Sequence, residues 1–96
     1  MVIAKTIIEQ ILLLDPTALI RYQASNYRIL EETKEREGGI EFNVRGSNFT
    51  GKVMIELDWL DEYRVTFINA DGSIIKQLPG IHFPELITAL HYIEED

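Results

Sequence analysis

The sequence predicts an α+β fold, a two-layer sandwich in which an antiparallel meander of four to five strands is flanked by an N-terminal and a C-terminal helix. Two observations predict the layers: apolar residues alternate with polar ones through residues 40–78, and both ends of the chain carry apolar residues at helical spacing. No helical segment separates the strands, which excludes a parallel sheet with crossover helices. At this length the chain is expected to form a single domain, 1–96.

The first helix is predicted over residues 3–14. Its apolar side chains recur three and four residues apart, and polar side chains such as Lys5 and Glu9 fall between them. Asp15 and Pro16 then suit the start of another helix, so a short second helical turn is expected to end near Tyr22. The apolar positions of the first helix are Ala4, Ile7, Ile8, Ile11 and Leu14.

The strands are predicted at residues 27–32, 40–45, 52–57 and 62–68, and a turn then reverses the chain into a further strand. In the last three of these runs every second residue is apolar, which is typical of strands with one buried face. The expected inward rows are Ile40, Phe42 and Val44, then Val53, Ile55 and Leu57, then Tyr63, Val65 and Phe67.

The turn at residues 69–72 (Asn-Ala-Asp-Gly) is predicted to be of type I, with its glycine in the left-handed position. This turn pairs Ile68 with Ile74 and Phe67 with Ile75. A tighter two-residue turn would instead pair Ile68 with Ile75. Because Phe67 faces the core, either register places a pair of isoleucines on the outer face of the sheet.

The last helix is predicted to begin at Pro84, because proline suits the first turn of a helix. Apolar side chains follow at helical spacing up to Ile93. Residues 94–96 are acidic and lie at the negative end of the helix dipole, so they are expected to fray. The simplest arrangement packs both helices on one face of the sheet, and the alternative places one helix over the second face.

The composition excludes several classes of protein. Because the chain has no cysteine, it has neither disulfides nor thiolate metal sites. Lys5 and Glu9 interrupt the apolar N-terminus and no run is as long as a membrane span, so we expect a cytoplasmic protein with no membrane partner.

The net charge is −7, of which −6 falls in residues 51–96, and the remaining cations alternate with glutamates. No basic stripe and no nucleic-acid partner are therefore expected.

One segment matches part of a known motif. Residues 46–52 (Gly-Ser-Asn-Phe-Thr-Gly-Lys) fit the first seven positions of a phosphate-binding P-loop, but Val53 stands where the motif needs Ser or Thr and opens a strand. The segment is interpreted as a hairpin loop.

His82 and His91 lie nine residues apart, which is not a metal-ligand spacing, and are interpreted as surface groups.

Four acidic residues, Glu56, Asp58, Asp61 and Glu62, surround Trp59. Their spacing lacks the glycine of a calcium loop, and no neighbouring histidine or lysine would make a carboxylate pair catalytic. A solvated turn is the preferred interpretation. Since no nucleophile motif is present either, we expect no enzyme activity, no metal and no cofactor.

The functional hypothesis is a small non-enzymatic protein-interaction module that binds a second copy, as a homodimer, or a partner protein through the outer face of the sheet. Trp59 is either a core residue under the helices or an exposed anchor of a continuous apolar patch. The alternative function is an acidic inhibitor that imitates nucleic acid and binds a DNA- or RNA-binding protein. The candidate interaction residues are Met54, Trp59, Ile68, Ile74 and Ile75.

Overall fold

An antiparallel sheet forms one layer of the fold in a computed structural model, which describes residues 2–95. Its five strands pair in the order in which they follow one another along the chain, and helices precede and follow them. This arrangement confirms the predicted α+β meander. The strands are β1 (Ser25–Leu30), β2 (Gly38–Arg45), β3 (Thr50–Leu57), β4 (Tyr63–Ile68) and β5 (Ile74–Ile81); the helices are α1 (Val2–Leu14), α2 (Ala18–Arg21) and α3 (Leu86–Leu90), and 3₁₀ turns at Phe83–Glu85 and His91–Ile93 flank α3.

The helices of residues 2–95 pack on one and the same face of the sheet. Ile7 and Ile11 of α1, and Leu86 and Leu90 of α3, are fully buried in a single cluster with the apolar rows of the central strands. One apolar stripe on each helix requires such a shared face. The alternative in which one helix covers the second face is therefore wrong. The sheet contributes Ile40, Phe42, Val44, Val53, Ile55, Tyr63, Val65 and Phe67 to the core, with Leu57 at its margin.

The turn between β4 and β5 has the predicted type I geometry. The amide of Gly72 donates a hydrogen bond to the carbonyl oxygen of Asn69 at 2.9 Å. Gly72 has a φ of +89°, a conformation that glycine adopts without the strain that a Cβ would cause. Ile68 lies opposite Ile74, so the predicted isoleucine pair is confirmed.

The predicted pairing of Phe67 with Ile75 is wrong. Phe67 lies opposite Lys76, because a β-bulge leaves Ile75 as an extra, unpaired residue in β5. The shift turns Lys76 toward the helix layer, where its ammonium group lies 4.9 Å from the centre of the Tyr92 ring. A cation–π contact thus takes the place of the apolar contact that strict alternation predicts.

The C-terminal segment is fixed by an ion pair with α2. The Arg21 guanidinium donates two hydrogen bonds to the Glu94 carboxylate, of 2.9 and 3.0 Å, and another to the Asp15 carboxylate at 2.9 Å. The expected fraying is therefore wrong at Glu94, while Asp96 lies outside the described residues. The hydrogen bonds from Arg21 lower the pKa of both carboxyl groups below its ordinary value.

This ion pair predicts a loss of stability in acid. A carboxyl group whose pKa is lowered by folding stabilises the fold above its ordinary pKa, and that contribution disappears as the pH falls through the lowered value. We therefore expect the urea midpoint to decrease below about pH 4.5, and to decrease less steeply in Arg21→Gln than in the unmodified protein. Lys5→Gln, which removes an exposed cation of α1, should retain the full pH dependence. Equal slopes for Arg21→Gln and Lys5→Gln would contradict the assignment.

Candidate binding surface on the open face of the sheet

Trp59 lies in the turn between β3 and β4 and is exposed. About half of its surface is accessible (52%), and its indole Nε1 donates a hydrogen bond to the carbonyl oxygen of Thr33 at 3.1 Å. Thr33 belongs to a small turn closed by its pairing with Arg36, so Trp59 contacts a loop rather than the helices. The interpretation of Trp59 as a core residue is therefore wrong, because the side chain is exposed.

The candidate isoleucines lie at the opposite end of β4 from Trp59. Ile68 ends the strand and is half-buried, whereas Ile74 and Ile75 expose 61% and 45% of their surface. Trp59 precedes the start of the same six-residue strand, which spans roughly 17 Å. Met54 lies half-buried at the middle of the face. The five candidates therefore do not form one continuous patch, because Trp59 is separated from the isoleucines.

The face of the sheet that no described helix covers is called the open face from this point on. Its side chains alternate with the core residues along each strand, and most of them are polar or charged. The open face consists of Ser25, Arg28, Leu30, Glu41, Asn43, Arg45, Thr50, Lys52, Met54, Glu56, Arg64, Thr66, Ile68, Ile74 and Gln77, and of the guanidinium group of Arg36, which reaches Glu56 from the turn before β2.

Glu41 binds cations from both neighbouring strands. Its carboxylate lies 3.2 Å from the Arg28 guanidinium of β1 and 3.4 Å from the Lys52 ammonium of β3. The Glu41 side chain is only 8% exposed, whereas those of Arg28 and Lys52 are 70% and 42% exposed. The two cations therefore cover the carboxylate and keep their own charged groups in contact with water.

Glu56 forms a second such cluster nearer to Trp59. Its carboxylate accepts hydrogen bonds from Arg36 at 3.0 Å and from Arg64 at 3.2 Å. All three side chains are largely buried. This carboxylate therefore has the paired, hydrogen-bonded surroundings that a buried charge requires.

The open face is cationic although the chain is acidic. Five cations and two carboxylates give it a balance of +3, whereas the whole chain carries −7 and its remaining residues therefore −10. Four of the five cations come from four different strands. The expectation that no basic stripe forms considered neighbours along the chain, whereas these cations are neighbours across the sheet.

A second exposed apolar surface lies on the helix side of β1, the first edge strand. Tyr27 and Ile29 are about half exposed, and together with Ile8 of α1 they line a shallow groove flanked by Lys5 and Glu9. The groove is open because α1 packs mainly over β2. It lies on the opposite side of the sheet from the open face, so the two surfaces are independent of each other.

The segment that resembles a P-loop is the β2–β3 hairpin loop, as predicted. Its amides bind the end of the chain: those of Asn48 and Phe49 donate to the carbonyl oxygen of Ile93 at 3.0 and 3.2 Å, and the Asn48 side chain donates to that of Tyr92 at 2.8 Å. A Cβ on Gly46 would collide with Ile93. Donors that a P-loop directs at phosphate thus satisfy the last carbonyls of a helical segment.

The remaining candidate groups belong to turns or to the solvated surface. Asp58 accepts hydrogen bonds from two backbone amides of its own turn. His82 and His91 are exposed, and His82 lies 3.4 Å from the Glu62 carboxylate. Within residues 2–95, no group of three or more His, Asp or Glu side chains is placed to hold a metal ion. The helices of the same range include none that is long and apolar enough to cross a membrane.

Comparisons of the chain with protein-family models, with curated proteins and with solved structures find no match.

The Glu56 cluster predicts a measurable contribution to stability. Glu56→Gln removes the charge that neutralises the guanidinium groups of Arg36 and Arg64, whose side chains are only 17% and 22% exposed. We expect the free energy of unfolding in urea at pH 7 to fall by about 1–3 kcal/mol. Glu31→Gln, at an exposed glutamate that makes no ion pair with another described residue, should change it by less than about 0.5 kcal/mol. Equal effects of the two substitutions would contradict a stabilising role for the cluster.

Proposed function

We propose that the protein is a small non-enzymatic interaction module that binds an acidic surface of a partner protein through its open face. The observation that supports this proposal is the balance of +3 on an uncovered sheet face in a chain of net charge −7. Complementary charge steers association and discriminates between partners. Ile74 at one corner of this face, with Ile75 next to it in the bulge, adds exposed apolar surface for such an interface to bury.

A different protein is a better partner for this face than a second copy of the chain. A two-fold dimer formed through the open face would place the same surface opposite itself. Two balances of +3 would then meet, and like charges across an interface oppose association. An acidic partner would instead present the opposite charge to the open face. We therefore propose a complex with a different protein in place of the homodimer.

A protein partner is also favoured over nucleic acid. The strand positions of the open face hold no aromatic side chain on which a base would stack. Residues outside the open face carry −10, which repels an extended phosphate backbone. Two of the five cations, Arg36 and Arg64, are largely buried against Glu56 and contribute little to a long contact.

The nucleic-acid mimic has weaker support. Imitation of a phosphate backbone requires accessible carboxylates, but the side chains of Glu41 and Glu56 are only 8% and 10% exposed and each binds two cations. Asp58 accepts backbone hydrogen bonds in its turn. The carboxylates of Glu41, Glu56 and Asp58 are therefore engaged within the protein itself.

Titration with poly-L-glutamate, a model acidic polypeptide, tests the proposal. In ¹⁵N-labelled protein at low salt we expect saturable chemical-shift changes in β1, β2 and β3, and an affinity that falls as salt shortens the Debye length to about 10 Å at 0.1 M. The double variant Arg28→Gln, Arg45→Gln lowers the balance of the open face from +3 to +1. It should weaken binding by about tenfold.

The control is the double variant Lys5→Gln, Lys76→Gln. It makes the same change in net charge, but Lys5 lies on α1 and Lys76 faces the helix layer. Binding within about twofold of the unmodified protein is expected. Equal weakening by the two double variants would contradict the proposal, because net charge alone would then control binding. Tighter binding of duplex DNA than of polyglutamate at equal charge concentration would contradict the choice of a protein partner.

A further inference from the structure

A groove of about 580 Å³ lies at the corner of the open face below the β4–β5 turn. Asn43 of β2 and Lys52 of β3 stand opposite each other in its floor, and Ile68 of β4 lies beside Lys52. The turn residues Asn69, Ala70 and Gly72 bound it on one side. The groove therefore extends from the cationic part of the open face to Ile68, whose strand partner is the exposed Ile74.

The lining of this groove carries positive charge and no carboxylate. Arg45 lines it, is exposed and forms no ion pair with another described residue. Lys52 shares the single carboxylate of Glu41 with Arg28, so that cluster retains a charge of +1. Since no Asp or Glu lines the groove, an anion inside it would meet two cationic groups without direct repulsion.

Amide donors complete the lining. Asn43 and Asn69 are half-buried, and the side-chain amide of neither one is hydrogen-bonded to another residue within 2–95. Each of these amides offers two N–H donors, and Gln23 at the rim offers two more. Cationic groups combined with neutral N–H donors recognise oxyanions, because hydrogen bonds to an ionised acceptor are stronger than those between neutral groups.

We propose that this groove binds one oxyanion group, a carboxylate or a phosphate, through Arg45, Lys52 and the amides of Asn43 and Asn69. The proposal rests on the proposed function, and it identifies the groove as the point at which the partner inserts an acidic group while neighbouring apolar surface packs on the isoleucine corner. The remaining cations of the open face then contribute a more diffuse attraction.

Two small probes test the groove separately from the face. Inorganic phosphate and glutarate are titrated into ¹⁵N-labelled protein at constant ionic strength, with chloride as the balancing anion. At least one probe should shift the side-chain amide resonances of Asn43 and Asn69 saturably, with a dissociation constant in the millimolar range. A response to phosphate alone identifies a phosphate group as the ligand, and a response to glutarate alone identifies a carboxylate.

Variants at the groove give the second readout. Lys52→Gln should weaken binding of the effective probe by about fivefold or more, whereas Lys5→Gln, which removes a cation of α1, should leave it unchanged. Asn43→Asp keeps the side-chain shape but adds a negative charge, and should abolish saturation. Backbone amide spectra of each variant check that the fold is retained.

The failures of the two proposals are distinguishable. If neither probe shifts the Asn43 and Asn69 amides, or if Lys52→Gln and Lys5→Gln have equal effects, the groove proposal is overturned. The proposed function is overturned by a different result, namely equal weakening of polyglutamate binding by the double variants at the open face and at the helix side.

Discussion

The helix layer covers only one face of the sheet, and the other properties of the molecule follow from this constraint. Phe42, Val53 and Val65 are buried under the helices, and successive side chains of a strand point to opposite faces of the sheet. The neighbours of these residues therefore lie on the other face, and most of them are polar or charged. The same register that builds the core therefore assembles the cations and the two carboxylates of the open face.

The carboxylates of Glu41 and Glu56 connect the stability of the fold with the charge of the open face. Each is nearly buried and lies between two cations, so the sheet face tolerates a negative charge that would otherwise be costly to desolvate. Each cluster contains two cations and one carboxylate. The cations that neutralise the buried carboxylate therefore also give each cluster a net charge of +1. Loss of either carboxylate would thus change both the stability of the fold and the charge of the open face.

The sequence predicts the fold well because its local signals agree with one another. The alternation of apolar and polar residues identifies the side chains that face the core. The glycine of the 69–72 turn identifies the register that pairs Ile68 with Ile74. The bulge at Ile75 escapes prediction, because strict alternation along β5 does not indicate where an extra residue interrupts the pairing. The position of Trp59 escapes it too, since its indole donates a hydrogen bond to the carbonyl oxygen of Thr33, 26 residues away in the chain.

The cationic open face is the feature that the sequence predicts least well, although its charged residues lie in the same alternating strands. A count of charges along the chain adds together residues from both faces of the sheet. A count at every second strand position would give the charge of each face separately. Arg36 would still escape such a count, because it reaches Glu56 from a turn rather than from a strand.

A cationic sheet face on an acidic protein is tested by paramagnetic relaxation with two matched co-solutes, one anionic and one cationic. This surface predicts that the methyl protons of Met54 and Ile68 relax faster with the anionic probe, whereas those of Leu60, which is exposed beside Asp58, Asp61 and Glu62, relax faster with the cationic probe. Faster relaxation of Met54 and Ile68 by the cationic probe would contradict it.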